Sequence, residues 1–135
     1  MSGNVKSLPD GMKRTKQREI VFSVLAEADR PLSAAEICSR TQAEGTPVWL
    51  STVYRILEIF VKEHVAEKIA VTASDMAFYG LSDRSHRHYA VCISCRRIIS
   101  MDNCPMEQFL PSIQDENFRV TGHNLEIYGY CGDCK

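Results

Sequence analysis

The sequence predicts an α+β chain made of two modules. Three short helices and a β-hairpin come first, and a smaller mixture of strands with one helix follows. Three observations predict this. Apolar residues recur at helical spacing in three stretches before residue 64. Alternating β-type runs take over after residue 66. Two identical C-x-x-C pairs, Cys92–Cys95 and Cys131–Cys134, enclose much of the second half. The boundary is expected at residues 83/84, giving modules 1–83 and 84–135. The chain has 135 residues, 44% hydrophobic and 24% charged, which excludes a largely disordered chain, a collagen and a coiled-coil rod. No apolar window is long enough to span a bilayer, and residues 1–18 lack the apolar core of a signal peptide. A cytoplasmic protein without a membrane partner is the expectation.

The elements follow in order. Thr15 caps a helix beginning at Lys16, with Ile20, Val21, Val24, Leu25 and Ala28 on one face; Asp29-Arg30-Pro31 stops it. Ser33-Ala-Ala-Glu36 fits a capping box, in which Ser33 accepts from the backbone N–H three residues on and Glu36 reaches back. The second helix runs from there to about Gln42, with Ile37 and Cys38 inward, and Gly45-Thr46-Pro47 turns the chain. A third helix begins near Ser51, stripes Val53, Ile56, Leu57 and Phe60 along one side and ends near His64, a surface position favoured by the helix dipole. Glu67–Val71 and Ala77–Leu81 read as strands around a turn at Thr72–Asp75.

Three helices and a hairpin in this order make a winged helix-turn-helix, whose last helix enters the major groove of double-stranded DNA. Ser51, Thr52, Tyr54 and Arg55 stand at the start of that helix. Arg55 suits a bidentate contact to guanine and Tyr54 a thymine methyl; the hydroxyls of Ser51 and Thr52 suit phosphate. Lys13 and Arg14 precede the first helix, within reach of a minor groove. The overall charge is −1, yet residues 1–18 carry Lys6, Lys13, Arg14, Lys16 and Arg18 against Asp10 alone.

The second module begins with strands over His88–Ile93 and Arg96–Met101, joined by the Cys92–Cys95 turn. Pro105 opens a helix through Met106–Ile113, Phe118–Val120 and Leu125–Tyr130 are strand-like, and the last runs into Cys131–Cys134. Each C-x-x-C aims two thiolates at one point, and two such turns brought together give the tetrahedral sulfur set of structural Zn²⁺. The competing readings are a redox pair, which needs only one C-x-x-C, and four buried free thiols. Cys38 is expected as a small core residue and Cys104 as the residue before a helix start. His86 and His88 share one face of a strand; with Glu107 and His123 they form a three-imidazole, one-carboxylate set for a second divalent ion. Zn²⁺, Fe²⁺, Mn²⁺ and Co²⁺ all suit it. With no thiolate, this site is expected to hold its ion more weakly than the four-cysteine site. So thin a core with an open sheet edge predicts homodimerisation through this half. A zinc hydrolase on the His/Glu site is the rival reading. It needs an open coordination position, which four protein ligands do not leave. No small organic substrate is expected.

At this point the chain resembles a known family. Thr15-Lys-Gln-Arg18, Leu50-Ser-Thr-Val-Tyr-Arg55, His86-Arg-His-Tyr-Ala-Val-Cys-Ile-Ser-Cys95 and Gly122-His-Asn-Leu-Glu-Ile-Tyr-Gly-Tyr-Cys-Gly-Asp-Cys134 are similar to motifs of the ferric uptake regulator superfamily. Cys104-Pro105-Met106 resembles its zinc-uptake-regulator branch. The resemblance implies a homodimeric, metal-activated repressor that binds an inverted-repeat operator of metal-uptake genes, and no enzyme. Zinc is the favoured effector, with an iron or manganese regulator as the alternative. It also implies Tyr54 and Arg55 as base readers, with Lys13 in the minor groove. The hinge metal site of many members is expected to be absent or rebuilt, because Arg87, Tyr89, Gly80 and Pro31-Leu32 stand where its ligands would be.

Overall fold

The computed structural model describes residues 8–71, 75–82, 88–101, 104–108 and 112–134. The chain divides into two compact units, Met1–Arg84 and Ser85–Lys135.

The first unit holds α1 (Lys16–Glu27), β1 (Leu32–Ser33), α2 (Ala34–Ala43), α3 (Leu50–Lys62), β2 (Ala66–Ala70) and β3 (Ala77–Leu81). The local chemistry of the helix ends sets these bounds. Thr15 Oγ1 accepts the Arg18 N–H at 3.1 Å, and Ser33 and Glu36 exchange both bonds of the capping box. Glu36 is also ion-paired to Arg30. Burial pushes the Glu36 carboxyl up, but the Arg30 guanidinium and the donors of Ser33 outweigh it and hold the carboxyl below its usual range. The ends of α2 and α3 close alike: the N–H groups of Gly45 and Thr46 return to Gln42 and Thr41, and those of His64 and Val65 to Val61 and Phe60. This double closure needs a left-handed residue just past the helix. Gly45 supplies it at φ 82°; His64 supplies it at φ 60°, where its Cβ is strained.

One face of each helix builds the core. Val21, Phe22, Val24 and Leu25 meet Ile37, Val53, Ile56, Leu57 and Phe60, and the Phe22 and Phe60 rings pack edge-to-face at 6.4 Å. Cys38 packs beside this core with its thiol on the Val48 carbonyl at 3.2 Å. The strands form an antiparallel sheet in the order β1-β3-β2. The two-residue β1 was not foreseen, since so short a strand carries no periodicity.

The second unit holds β4 (Tyr89–Cys92), β5 (Ile98–Ser100), a single 3₁₀ turn (Pro105–Glu107) and β6 (Glu126–Gly129). The order is β5-β4-β6, with β4 antiparallel to β5 and parallel to β6. The expected helix does not reach Ile113. Pro111, which has no N–H to donate, stands inside the expected span, and Ser112 and Ile113 lie outside any helix. Phe109 and Leu110 fall outside the described residues. Phe118–Val120 is not a strand. Among the described residues the core here is made of Val91, Ile98 and the buried Cys92, Cys104, Cys131 and His88. Among the described residues no helix is long and apolar enough to cross a membrane.

Candidate metal centres and nucleic-acid interface

The parallel pairing of β4 with β6 brings distant cysteines together. Cys92 is in register with Gly129, and the Ile93 N–H continues the ladder onto the Gly129 carbonyl at 2.9 Å. Cys131 then arrives beside the Cys92–Cys95 turn. One sulfur from each of Cys92, Cys95, Cys131 and Cys134 falls within 4.8 Å of the others. Cys95 Sγ and Cys131 Sγ are 3.8 Å apart, far beyond the ~2.05 Å of a disulfide. Two corners of a tetrahedron with Zn–S bonds of about 2.3 Å stand about 3.8 Å apart, so the donor set fits zinc. The backbone N–H groups of Cys95 and Cys131 hold the Cys92 thiol down to about 6. The neighbouring sulfurs, Cys131 first, push Cys134 up to about 12. Arg97 joins the two turns through Asp133 at 3.2 Å.

The second cluster joins a cysteine to two of the expected histidines. Cys104 Sγ lies 3.3 Å from His88 Nε2 and 3.2 Å from His123 Nε2, and the two Nε2 atoms are 2.9 Å apart. In a zinc tetrahedron the S···N and N···N separations are about 3.6 and 3.3 Å, so the triangle is the right size to within a few tenths of an ångström. His88 and Cys104 are 3% and 7% exposed. His88 immediately precedes β4, where its carbonyl accepts the Met101 N–H. Cys104 is extended (φ −102°, ψ 114°) ahead of Pro105. Among the described residues, His88 and His123 thus stand together with the thiol of Cys104 as their third neighbour. Glu107 closes the 3₁₀ turn, its side chain is outside the description, and His86 lies outside the described residues. The thiol of Cys104 adds a donor that the thiolate-free set expected from the sequence did not include. An unpaired Cys in a His-containing half was the available signal, and the helix-start reading of Pro105 obscured it.

The proposed DNA-reading residues lie on the first unit. Ser51, Tyr54 and Arg55 are exposed in the first turns of α3 and Thr52 is half-buried; Arg55 Nη2 is 3.5 Å from Thr52 Oγ1. Lys13 is exposed. Arg14 is exposed too, but its guanidinium is engaged with the Leu8 carbonyl at 2.9 Å and with Glu19 at 3.7 Å.

Comparison with known proteins identifies the family. The ferric uptake regulator family profile matches residues 9–128. The ferric uptake regulation protein of Campylobacter jejuni is 32% identical over 127 residues, covering 92% of this chain and 80% of that protein. The solved ferric uptake regulator of Helicobacter pylori, described as having three functional metal binding sites, superposes with a TM-score of 0.71 at 27% identity, over 93% of this chain and 83% of that one. That of Vibrio cholerae gives 0.71 at 28% identity, over 90% and 93%. With sequence and fold matched across both units, the chain belongs to the ferric uptake regulator family, and so to the metal-responsive transcription regulators rather than the enzymes.

Proposed function

We propose that this protein is a zinc-responsive, homodimeric repressor that binds an inverted-repeat operator of metal-uptake genes. The observation that carries the zinc reading is Cys104 beside His88 and His123. A mixed imidazole–thiolate set suits Zn²⁺, whereas Mn²⁺ and Fe²⁺ follow harder oxygen and nitrogen donors and stand lower in the Irving–Williams order. When bound, zinc supplies a cross-link among β4, the 3₁₀ turn and the segment before β6. His88 lies only a few residues beyond Arg84, so ligands that engage it constrain the chain directly after the first unit. That constraint favours one disposition of two reading heads, a population shift toward the DNA-competent state. Coupling of about 1–3 kcal/mol per site suffices to switch occupancy several-fold or more.

Dimerisation through the second unit is supported by its exposed apolar side chains. Phe118 (58% exposed), Ile127, Tyr128 and Tyr130 (64% exposed) cluster in sequence around β6, which stands at one edge of its sheet. Ser51, Thr52, Tyr54 and Arg55 on α3 support operator reading, with Lys13 and Arg14 as flanking contacts.

The names of the relatives favour a second reading, an iron-responsive regulator. Operator affinity of the full chain, measured by fluorescence anisotropy at buffered free Zn²⁺, Fe²⁺ and Mn²⁺, separates the two. The zinc reading predicts tight binding at far lower free Zn²⁺ than Fe²⁺. Equal affinity with and without metal removes the switch, and a response to Fe²⁺ at the lower free concentration replaces zinc by iron.

A further inference from the structure

We infer that Trp49 is an additional DNA-contacting residue, its indole packing on thymine methyl and deoxyribose at the rim of the groove that α3 enters. This rests on the operator-binding reading above and adds a residue to that interface.

Neither helix stability nor the core accounts for Trp49. It occupies the N-cap of α3 and makes no side-chain cap bond. Ser, Thr, Asp or Asn at an N-cap is worth about 1 kcal/mol over residues that cannot accept there, as Thr15 and Ser33 illustrate on the other two helices. The indole is 81% exposed, so the largest side chain in the protein contributes almost nothing to packing within its own unit.

Its mount, by contrast, is rigid. Val48 is buried, its N–H donates to Thr41 Oγ1 at 3.1 Å, and its carbonyl accepts the Cys38 thiol at 3.2 Å. Thr41 is itself fully buried and donates to the Cys38 carbonyl at 2.7 Å. On the other side, the Trp49 carbonyl accepts the Val53 N–H at 2.9 Å. An aromatic side chain with two torsions on a fixed backbone offers contact area at low entropic cost, the property binding surfaces exploit.

The neighbours select DNA as the occupant. Leu50 and Tyr54, next to Trp49 in the first turns of α3, are also exposed. The first turn of α3 carries no acidic residue, and Ser51, Thr52 and Arg55 add hydroxyls and a cation. In a helix-turn-helix, the start of the third helix is the part nearest base edges. An apolar contact there reads a thymine methyl, and the indole N–H is free chemistry for a phosphate oxygen.

The test uses an unusual advantage: Trp49 is the sole tryptophan of the chain, so indole emission reports this residue alone. A duplex is selected from random-sequence DNA by the zinc-loaded full chain and titrated back. Trp49 emission is expected to shift and saturate at the same midpoint as anisotropy. Trp49→Ala is expected to bind about tenfold more weakly, in line with one lost base contact, with unchanged thermal stability and dimerisation, and Trp49→Phe to restore most of the affinity. Unmoved emission at saturating DNA, or a Trp49→Ala chain that binds as well as wild type, overturns the inference. So does a Trp49→Ala effect confined to self-association, which makes the patch a protein contact. In those cases loss of binding in Arg55→Ala keeps the operator reading intact. Failure of the wild-type chain to select any duplex overturns both.

Discussion

Replacing Cys104 by Ala removes the sulfur corner of a triangle with sides of 3.3, 3.2 and 2.9 Å. Two imidazoles remain, while the four-cysteine set is a separate group of ligands and keeps every donor. Loss of a residue that merely orients a ligand lowers metal affinity about 10–100-fold. Losing a donor therefore sets a floor of about 100-fold, or about 2.8 kcal/mol at 1.4 kcal/mol per decade. Stepwise chelator competition on the purified chain reads this directly. Wild type is expected to hold about two zinc ions tightly and Cys104→Ala about one, since a structural site needs its full donor set. With cobalt substituted for zinc, the thiolate-to-cobalt absorption should fall by the share of one sulfur and the operator response should be lost. If Cys104→Ala retains both ions while Glu107→Ala loses one, the second ligand set is the thiolate-free one expected from sequence, and the zinc argument built on Cys104 collapses.

Other consequences concern the first unit. Phe60→Ala removes a fully buried ring packed on Phe22 and should destabilise the unit by about 3–5 kcal/mol in urea unfolding. Ser33→Ala breaks the capping box and should cost about 1 kcal/mol. The Glu36 carboxyl is held below its usual range in the folded state. Its contribution is therefore fully present above the unfolded pKa of about 4.3 and is lost as pH falls through the lower folded value; Glu36→Gln should flatten the acid limb of stability measured by circular dichroism. His64→Gly relieves a left-handed non-glycine residue, about 1–2 kcal/mol, against about 0.4–1 kcal/mol of added unfolded-chain entropy, so the unfolding free energy should rise by about 0.5–1 kcal/mol; unchanged or lower stability contradicts that assignment of strain.

The first unit was largely legible in the sequence because its signals are local. Thr15, Ser33 and Glu36 cap over three residues, and the α3 stripe of Val53, Ile56, Leu57 and Phe60 repeats within one helix. The four-cysteine site was legible for a different reason: each C-x-x-C already holds two ligands in one turn, so only the meeting of two turns had to be supplied. His88, Cys104 and His123 share no such turn. They converge through the parallel β4–β6 register and the extended backbone at Cys104, which no spacing encodes. The same lack of local periodicity hides β1, and the apolar spacing around Phe109, Leu110 and Ile113 outweighs in the sequence the missing N–H of Pro111. Trp49 gives no signal in the sequence, because an exposed aromatic before a helix has no periodic partner.

X-ray absorption at the zinc edge of the fully loaded chain tests the central claim most directly. Four sulfurs at one ion and one at the other predict an average of about 2.5 sulfur neighbours per zinc at about 2.3 Å. An average of about two, with the second ion bound by nitrogen and oxygen alone, would contradict it.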